Sequence, residues 1–191
     1  MDLILEGYAI VFNKPTVLWE YKGEKIYEQI DRNALDGCDT SLCAFKYNHD
    51  DSVFIAAATR NKSLELKVDD TGLLVRAQLA NTQSNRDLYE MVKTRLLQKM
   101  SFAFMVGEEE YDSSNRIRTI KKIKKLYDVS AVPSPAYPQT TLYVVDEEQK
   151  KRELEEVEEL RTKIKFESKR REQEAKEVEL LKLKIRIQSI V

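Results

Sequence analysis

The sequence predicts an α+β fold that is mainly β: a closed or nearly closed β-barrel with a few surrounding helices, followed by a long C-terminal coiled-coil helix. Three observations predict it. Short apolar runs without helical spacing recur through residues 1–145, only one segment there has helical spacing, and after Asp146 the composition turns to Glu, Lys and Arg. Charged residues make up 34 % of the chain, against roughly a quarter in ordinary soluble domains, and most of the excess lies beyond that boundary. The expected organisation is a globular domain over 1–145 and a charged helical tail over 146–191.

The first run, Leu3 to Phe12, ends at Asn13-Lys14-Pro15, a turn signal, and is expected to be a strand. Further strand-like runs are Leu42 to Tyr47, Val53 to Thr59, Ser63 to Val68 and Leu73 to Leu79, the last two joined as a hairpin through Asp69-Asp70-Thr71-Gly72. Leu88, Met91, Val92, Leu96 and Leu97 recur at helical steps after Ser84, which suits an N-cap, so a helix is expected there. Met100 to Val106, Ile117 to Ile123 and Leu126 to Val132 read as strands, with a loop at Tyr111 to Asn115. Pro133, Pro135 and Pro138 stop any helix or central strand before a last short strand at Leu142 to Val145.

From Asp146 to Val191 there is neither Gly nor Pro. Alternating steps of three and four meet Val157, Leu160, Ile164, Val178, Leu181 and Ile185, with Glu167, Arg171 and Glu174 breaking the seam between them. That pattern predicts an imperfect coiled coil.

The formal net charge of −1 gives no electrostatic reason for a nucleic-acid or anionic-membrane partner. No stretch approaches the roughly 18 apolar residues a membrane span needs, and the N-terminal segment carries an acid rather than a basic region, so a soluble cytoplasmic protein is expected. Cys38 and Cys43 are too few for a disulfide framework, and the single histidine leaves a Cys/His zinc site short of ligands. No metal or cofactor is expected.

Any chemistry that needs an imidazole must use the one histidine, His49, at the polar end of an apolar strand. Ser101 opens the alternating run Met100-Ser101-Phe102-Ala103-Phe104, and a serine hydroxyl becomes a nucleophile only beside a base. Asp128 is an acid inside an apolar strand, costly to bury unpaired, so it wants an imidazole N–H or a lysine of the preceding Lys121-Lys122-Ile123-Lys124-Lys125 run. Taken singly, His49 reads as a surface or hydrogen-bonded histidine and Ser101 as a strand-edge serine satisfied by backbone.

Their joint order carries more. Gly7-Tyr8-Ala9 with Val11-Phe12-Asn13, Glu28-Gln29-Ile30-Asp31-Arg32-Asn33-Ala34-Leu35, Asn48-His49-Asp50, Asp70-Thr71-Gly72-Leu73, Met100-Ser101-Phe102-Ala103-Phe104, and Asp128-Val129-Ser130 running into Pro135-Ala136-Tyr137-Pro138 follow one another along the chain. In that order they resemble the caudovirus prohead serine protease family, over roughly residues 3–145. The resemblance implies a β-barrel endopeptidase related to herpesvirus capsid-maturation proteases, with Ser101 as nucleophile, His49 as general base and Asp128 as the acid that orients the imidazole. The family more often has Glu at the position of Asp128 and Gly at that of Ala103. The herpesvirus enzymes use a second histidine as third member, which a chain with one histidine cannot supply. The resemblance further implies action inside the assembling prohead in the host cytoplasm, on the scaffold or delta region of the major capsid protein and on the protease itself, with homodimerisation by analogy. The competing expectation is an inactive capsid-assembly protein acting through its tail.

Overall fold

The computed structural model describes residues 2–52, 55–146 and 158. Met1–Val145 forms one compact unit. The expected coiled coil over 146–191 lies outside the described residues, Asp146 and Glu158 apart.

The strands in chain order are β1 (Ile4–Val11), β2 (Thr16–Tyr21), β3 (Glu24–Ile30), β4 (Ala44–Tyr47), β5 (Ala57–Ala58), β6 (Leu64–Val68), β7 (Gly72–Gln78), β8 (Lys99–Asp112), β9 (Ile117–Val132) and β10 (Tyr143–Val144). One α-helix, α1 (Gln83–Lys93), and a 3-10 turn at Thr59–Asn61 complete the described elements. A four-stranded antiparallel sheet runs β10-β1-β7-β6. Gly7 lets β1 pass beneath the chain at Thr141, because a Cβ there would lie 2.0 Å from the Thr141 carbonyl oxygen.

The second sheet is organised on β9. One edge of β9 pairs antiparallel with β8 along its length. The other edge pairs in parallel with β3 at Ile117–Ile120 and with β4 at Asp128–Ala131. Between those two stretches the segment from Asp31 to Asp39 stays on the same edge: Asp31 N–H donates to Ile120 O (2.9 Å), Ile123 N–H to Ala34 O (2.7 Å) and Leu126 N–H to Asp39 O (3.0 Å). The hairpin partner β2 and the short β5 extend this sheet outward from β3 and β4.

This arrangement corrects the expected closed barrel. The strands divide into two separate sheets of four and six, with β10 and β6 at the edges of the first and β2, β5 and β8 at the margins of the second. Strand number alone suggested closure, but closure needs a continuous ladder, and here three strands converge on β9 while no described ladder joins the sheets. The few surrounding helices reduce to α1 and one 3-10 turn among the described residues.

The runs expected at Ile117 to Ile123 and Leu126 to Val132 are one strand. Its register against β8 skips Lys121, Lys124 and Tyr127, three bulged residues that all face solvent. Each bulge resets the alternation, so the buried positions Ile120, Ile123, Leu126 and Val129 fall every third residue instead of every second. The lysine pair that reads as a break is a bulge with its flank.

The β2–β3 hairpin has no counterpart among the sequence expectations. It turns through Lys22 (φ 52°) and Gly23 (φ 80°), the two positive-φ positions that a tight hairpin requires. The helix begins two residues earlier than expected: Thr82, not Ser84, is the N-cap, its side chain accepting from Asn85 N–H at 3.3 Å. Leu88, Tyr89 and Val92 are the apolar residues that α1 buries.

Candidate active site

The site lies where β8, β9 and β4 run side by side. Ser130 on β9 stands opposite Ser101 on β8 and opposite Lys46 on β4; Asp128 stands between Ala103 and Ala44 in the same way. Opposed residues in a ladder project to the same face, with Cα atoms about 4.5–5.5 Å apart in the antiparallel case. Ser101, Ser130, Lys46 and Asp128 therefore share one face. The alternate residues Met100, Phe102, Val129, Ala131 and Phe45 are buried in the core on the other.

His49 reaches this face through a tight turn. β4 ends at Tyr47, and the next two residues, Asn48 (φ 53°) and His49 (φ 56°), both adopt the left-handed conformation. Asp50 N–H donates to Tyr47 O (3.0 Å) and Asn48 N–H to Ala131 O (2.9 Å), so the turn is folded back against β9. Positive φ is unfavourable for residues with a side chain. Here it is held by contacts at the site itself, for His49 N–H donates to Ser130 Oγ (3.3 Å) and the ring Nδ1 lies 2.6 Å from Asp128 Oδ1.

Asp128 is 4 % exposed and Ser101 8 %, while the His49 side chain keeps 34 % of its surface. Besides the imidazole, the carboxylate accepts from Ser130 Oγ (2.8 Å) and has Lys46 Nζ 3.8 Å from its second oxygen. With the carboxylate ionised, that oxygen can only accept; the ring then donates from Nδ1 and keeps a lone pair on Nε2. Lys46 also pairs with Asp51, and that hydrogen bond first, then the charge of Asp128, raises its pKa against the opposing effect of burial. The ammonium is a fixed positive charge. The thiol of Cys43, directly before β4, is pushed up to about 12, by burial first and then by the charge of Asp128, so it is no nucleophile at neutral pH.

Two participants, Ser130 and Lys46, were not singled out by sequence reasoning. Both carried a usable signal: Ser130 is two residues beyond Asp128 on a strand, hence on its face, and Lys46 sits on the strand that leads to His49. The lysines expected to compete for Asp128 go elsewhere. Lys121 pairs with Asp31, and Lys125 Nζ lies 3.6 Å from Asp39.

The start of β8, the strand that carries Ser101, is fastened by the chain after β9. Lys99 Nζ donates to Thr140 O (2.8 Å), and the Phe102 and Tyr137 rings lie 5.0 Å apart. The Tyr137 hydroxyl donates to buried Glu28, which also accepts from Arg118 Nη1 at 2.6 Å. Burial first, then the hydrogen bond to Glu28, pushes the Tyr137 hydroxyl well above the usual phenol range.

A hydroxyl, an imidazole and a carboxylate on one partly open face are the groups that acyl transfer needs. Among the described residues no three His, Cys, Asp or Glu side chains gather as a metal site, and no helix is long and apolar enough to cross a membrane. A family model described as caudovirus prohead serine protease matches residues 1–159. No curated protein and no solved structure matches the chain. The matched stretch takes in all of the compact unit and most of the 191 residues, and the chain therefore belongs to the caudovirus prohead serine protease family, serine proteases of phage capsid maturation.

Proposed function

We propose that the protein is an endopeptidase in which Ser101 is the nucleophile, His49 the general base and Asp128 the residue that orients the imidazole. The supporting observation is the 2.6 Å contact from His49 Nδ1 to Asp128 Oδ1 on the face that Ser101 shares. In the proposed reaction His49 Nε2 takes the Ser101 hydroxyl proton as Oγ attacks a peptide carbonyl. Collapse of the tetrahedral adduct passes that proton to the departing amine and leaves an acyl-enzyme. A water, deprotonated by the same imidazole, attacks the ester and restores Ser101. Asp128 keeps the proton of Nδ1 in place and stabilises the imidazolium.

The proposed substrates are the scaffold or delta segment of the major capsid protein and a second copy of the protease itself, cut inside the assembling prohead in the host cell. Residues 1–145 are the proposed catalytic domain. Intact-mass spectra of the full chain and of Ser101→Ala, each alone and with the cognate capsid protein, test the proposal. Fragments that form only with the unmutated chain are expected; identical fragments from both chains overturn the nucleophile assignment, and intact chains throughout favour an assembly protein without activity.

A further inference from the structure

We infer that Ser130 is a positioning residue of the hydrolytic site, its one hydroxyl fixing both the carboxylate and the main chain of the histidine relative to Ser101. The inference rests on the reading of Ser101 and His49 as nucleophile and base.

Ser130 is fully buried, at 0 % exposure, near the end of β9 between the buried Val129 and Ala131, where an apolar side chain is the ordinary occupant. Its hydroxyl both donates and accepts. The proton goes to Asp128 Oδ1 (2.8 Å), the same oxygen that His49 Nδ1 approaches, and a lone pair accepts from His49 N–H (3.3 Å). One atom therefore ties together the two ends of the His49–Asp128 pair. Without it the N–H of His49 loses its acceptor, in a turn where two successive residues already hold positive φ, and the imidazole has only its ring contact to set its direction.

Lys46 faces Ser130 from the opposite strand and cannot replace it. Its three protons donate and it has no acceptor for the His49 N–H; its contacts are Asp51 and, at 3.8 Å, the other oxygen of Asp128. It adds charge beside the pair and leaves the direction of the ring to Ser130. The charged groups next to His49 are thus Asp128 on β9, which its ring contacts, Lys46 on β4, which faces that carboxylate, and Asp50 and Asp51 directly after it in the chain, paired with Ser52 and Lys46.

The test uses the full chain and diisopropyl fluorophosphate, a probe that needs no known substrate. Labelling forms an Oγ–P bond at Ser101 and breaks P–F; fluoride leaves and the hydroxyl proton passes to His49. Its rate is followed by intact mass for the unmutated chain and for Ser130→Ala, Ser130→Thr and Ser130→Val, with Ser101→Ala as the site control. In parallel, the pKa of the single histidine is read by NMR. Ser130→Ala and Ser130→Val are expected to label roughly tenfold or more slowly, the scale of one hydrogen bond to a charged group. Their His49 pKa is expected to rise, because a carboxylate that has lost a donor holds the imidazolium more strongly. Ser130→Thr, which keeps the hydroxyl, is expected to stay close to the unmutated chain in both readouts. Thr and Val have nearly the same volume, so any folding defect from the added methyl group cancels in their ratio. Equal labelling rates and equal histidine titrations for Thr and Val overturn the role of Ser130. An unmutated chain that fails to label at Ser101 has a different signature, and it overturns the nucleophile reading together with the role built on it.

Discussion

Thr140 Oγ1 accepts from the Met100 N–H at 3.1 Å and is 2.8 Å from the Met100 carbonyl oxygen, so one buried hydroxyl holds both main-chain polar groups of Met100, the residue directly before Ser101. This is a strand pairing made by a side chain. It occupies the edge of β8 opposite β9, where no described strand ladder covers Met100, and it ties the Pro-rich segment after β9 to the strand that carries Ser101. Replacing Thr140 by Val keeps the shape and strands the N–H and C=O of Met100 in the core. The expected loss is about 1–3 kcal/mol, read as a lower urea midpoint, together with slower labelling of Ser101 by diisopropyl fluorophosphate.

Asp128→Asn separates charge from shape. The amide can place its NH2 or its oxygen toward Nδ1, and the tautomer with the lone pair on Nε2 is no longer enforced. Peptide cleavage is expected to fall by roughly a hundred- to ten-thousand-fold at nearly unchanged substrate affinity, so a KM and kcat comparison on the capsid substrate checks it. Lys46 then faces a neutral neighbour.

Tyr137→Phe removes the hydroxyl that donates to Glu28 and keeps the ring that packs on Phe102. Glu28 retains its bond to Arg118 but is left buried with one donor fewer. Hydrogen bonds to charged groups are worth about 1.5–3 kcal/mol, and a loss of stability on that scale is expected by chemical denaturation. Since the Phe102 contact survives, Ser101 reactivity below the unfolding midpoint is expected to change little.

Acid sensitivity has a definite contributor in Asp31. Its pKa is lowered from the ordinary 3.8, first by the hydrogen bond from Lys121 and then by the Asn33 N–H. A carboxyl whose folded pKa lies below its unfolded value stabilises the fold above the unfolded value, and that contribution disappears as pH falls through the folded one. Asp31→Asn is therefore expected to be less stable than the parent by a constant margin above about pH 5, a margin that shrinks below pH 3.8 and closes in stronger acid. Unfolding midpoints of both chains across that range measure it. A gap independent of pH would assign the effect to packing.

The strands with plain alternation were legible along the chain, because each pairs locally or carries its own turn. β1 and the β6–β7 hairpin match their expected places within a residue or two. Thr82 escaped notice as the helix cap since Ser84, two residues on, has the same chemistry. The three bulges of β9 were not legible, for a bulge is fixed by the partner strand. In the sequence they leave lysines and a tyrosine at spacings that resemble a break.

The sequence by itself determined which residues have reactive chemistry. A single histidine leaves one candidate base, and the order of motifs around His49, Ser101 and Asp128 points to one family. The tertiary structure alone decided which of them meet and what surrounds them. The register of β8, β9 and β4 places Ser101, Ser130, Lys46 and Asp128 on one face, and the turn at Asn48 and His49 brings the imidazole back over it. It also decided that the strands form two sheets in place of a barrel. The reason is the same in both cases: reactivity belongs to side chains, whereas pairing and closure depend on contacts between segments distant in the chain, from Ser101 opposite Ser130 to His49 against Ser130, 81 positions apart, which no local pattern encodes.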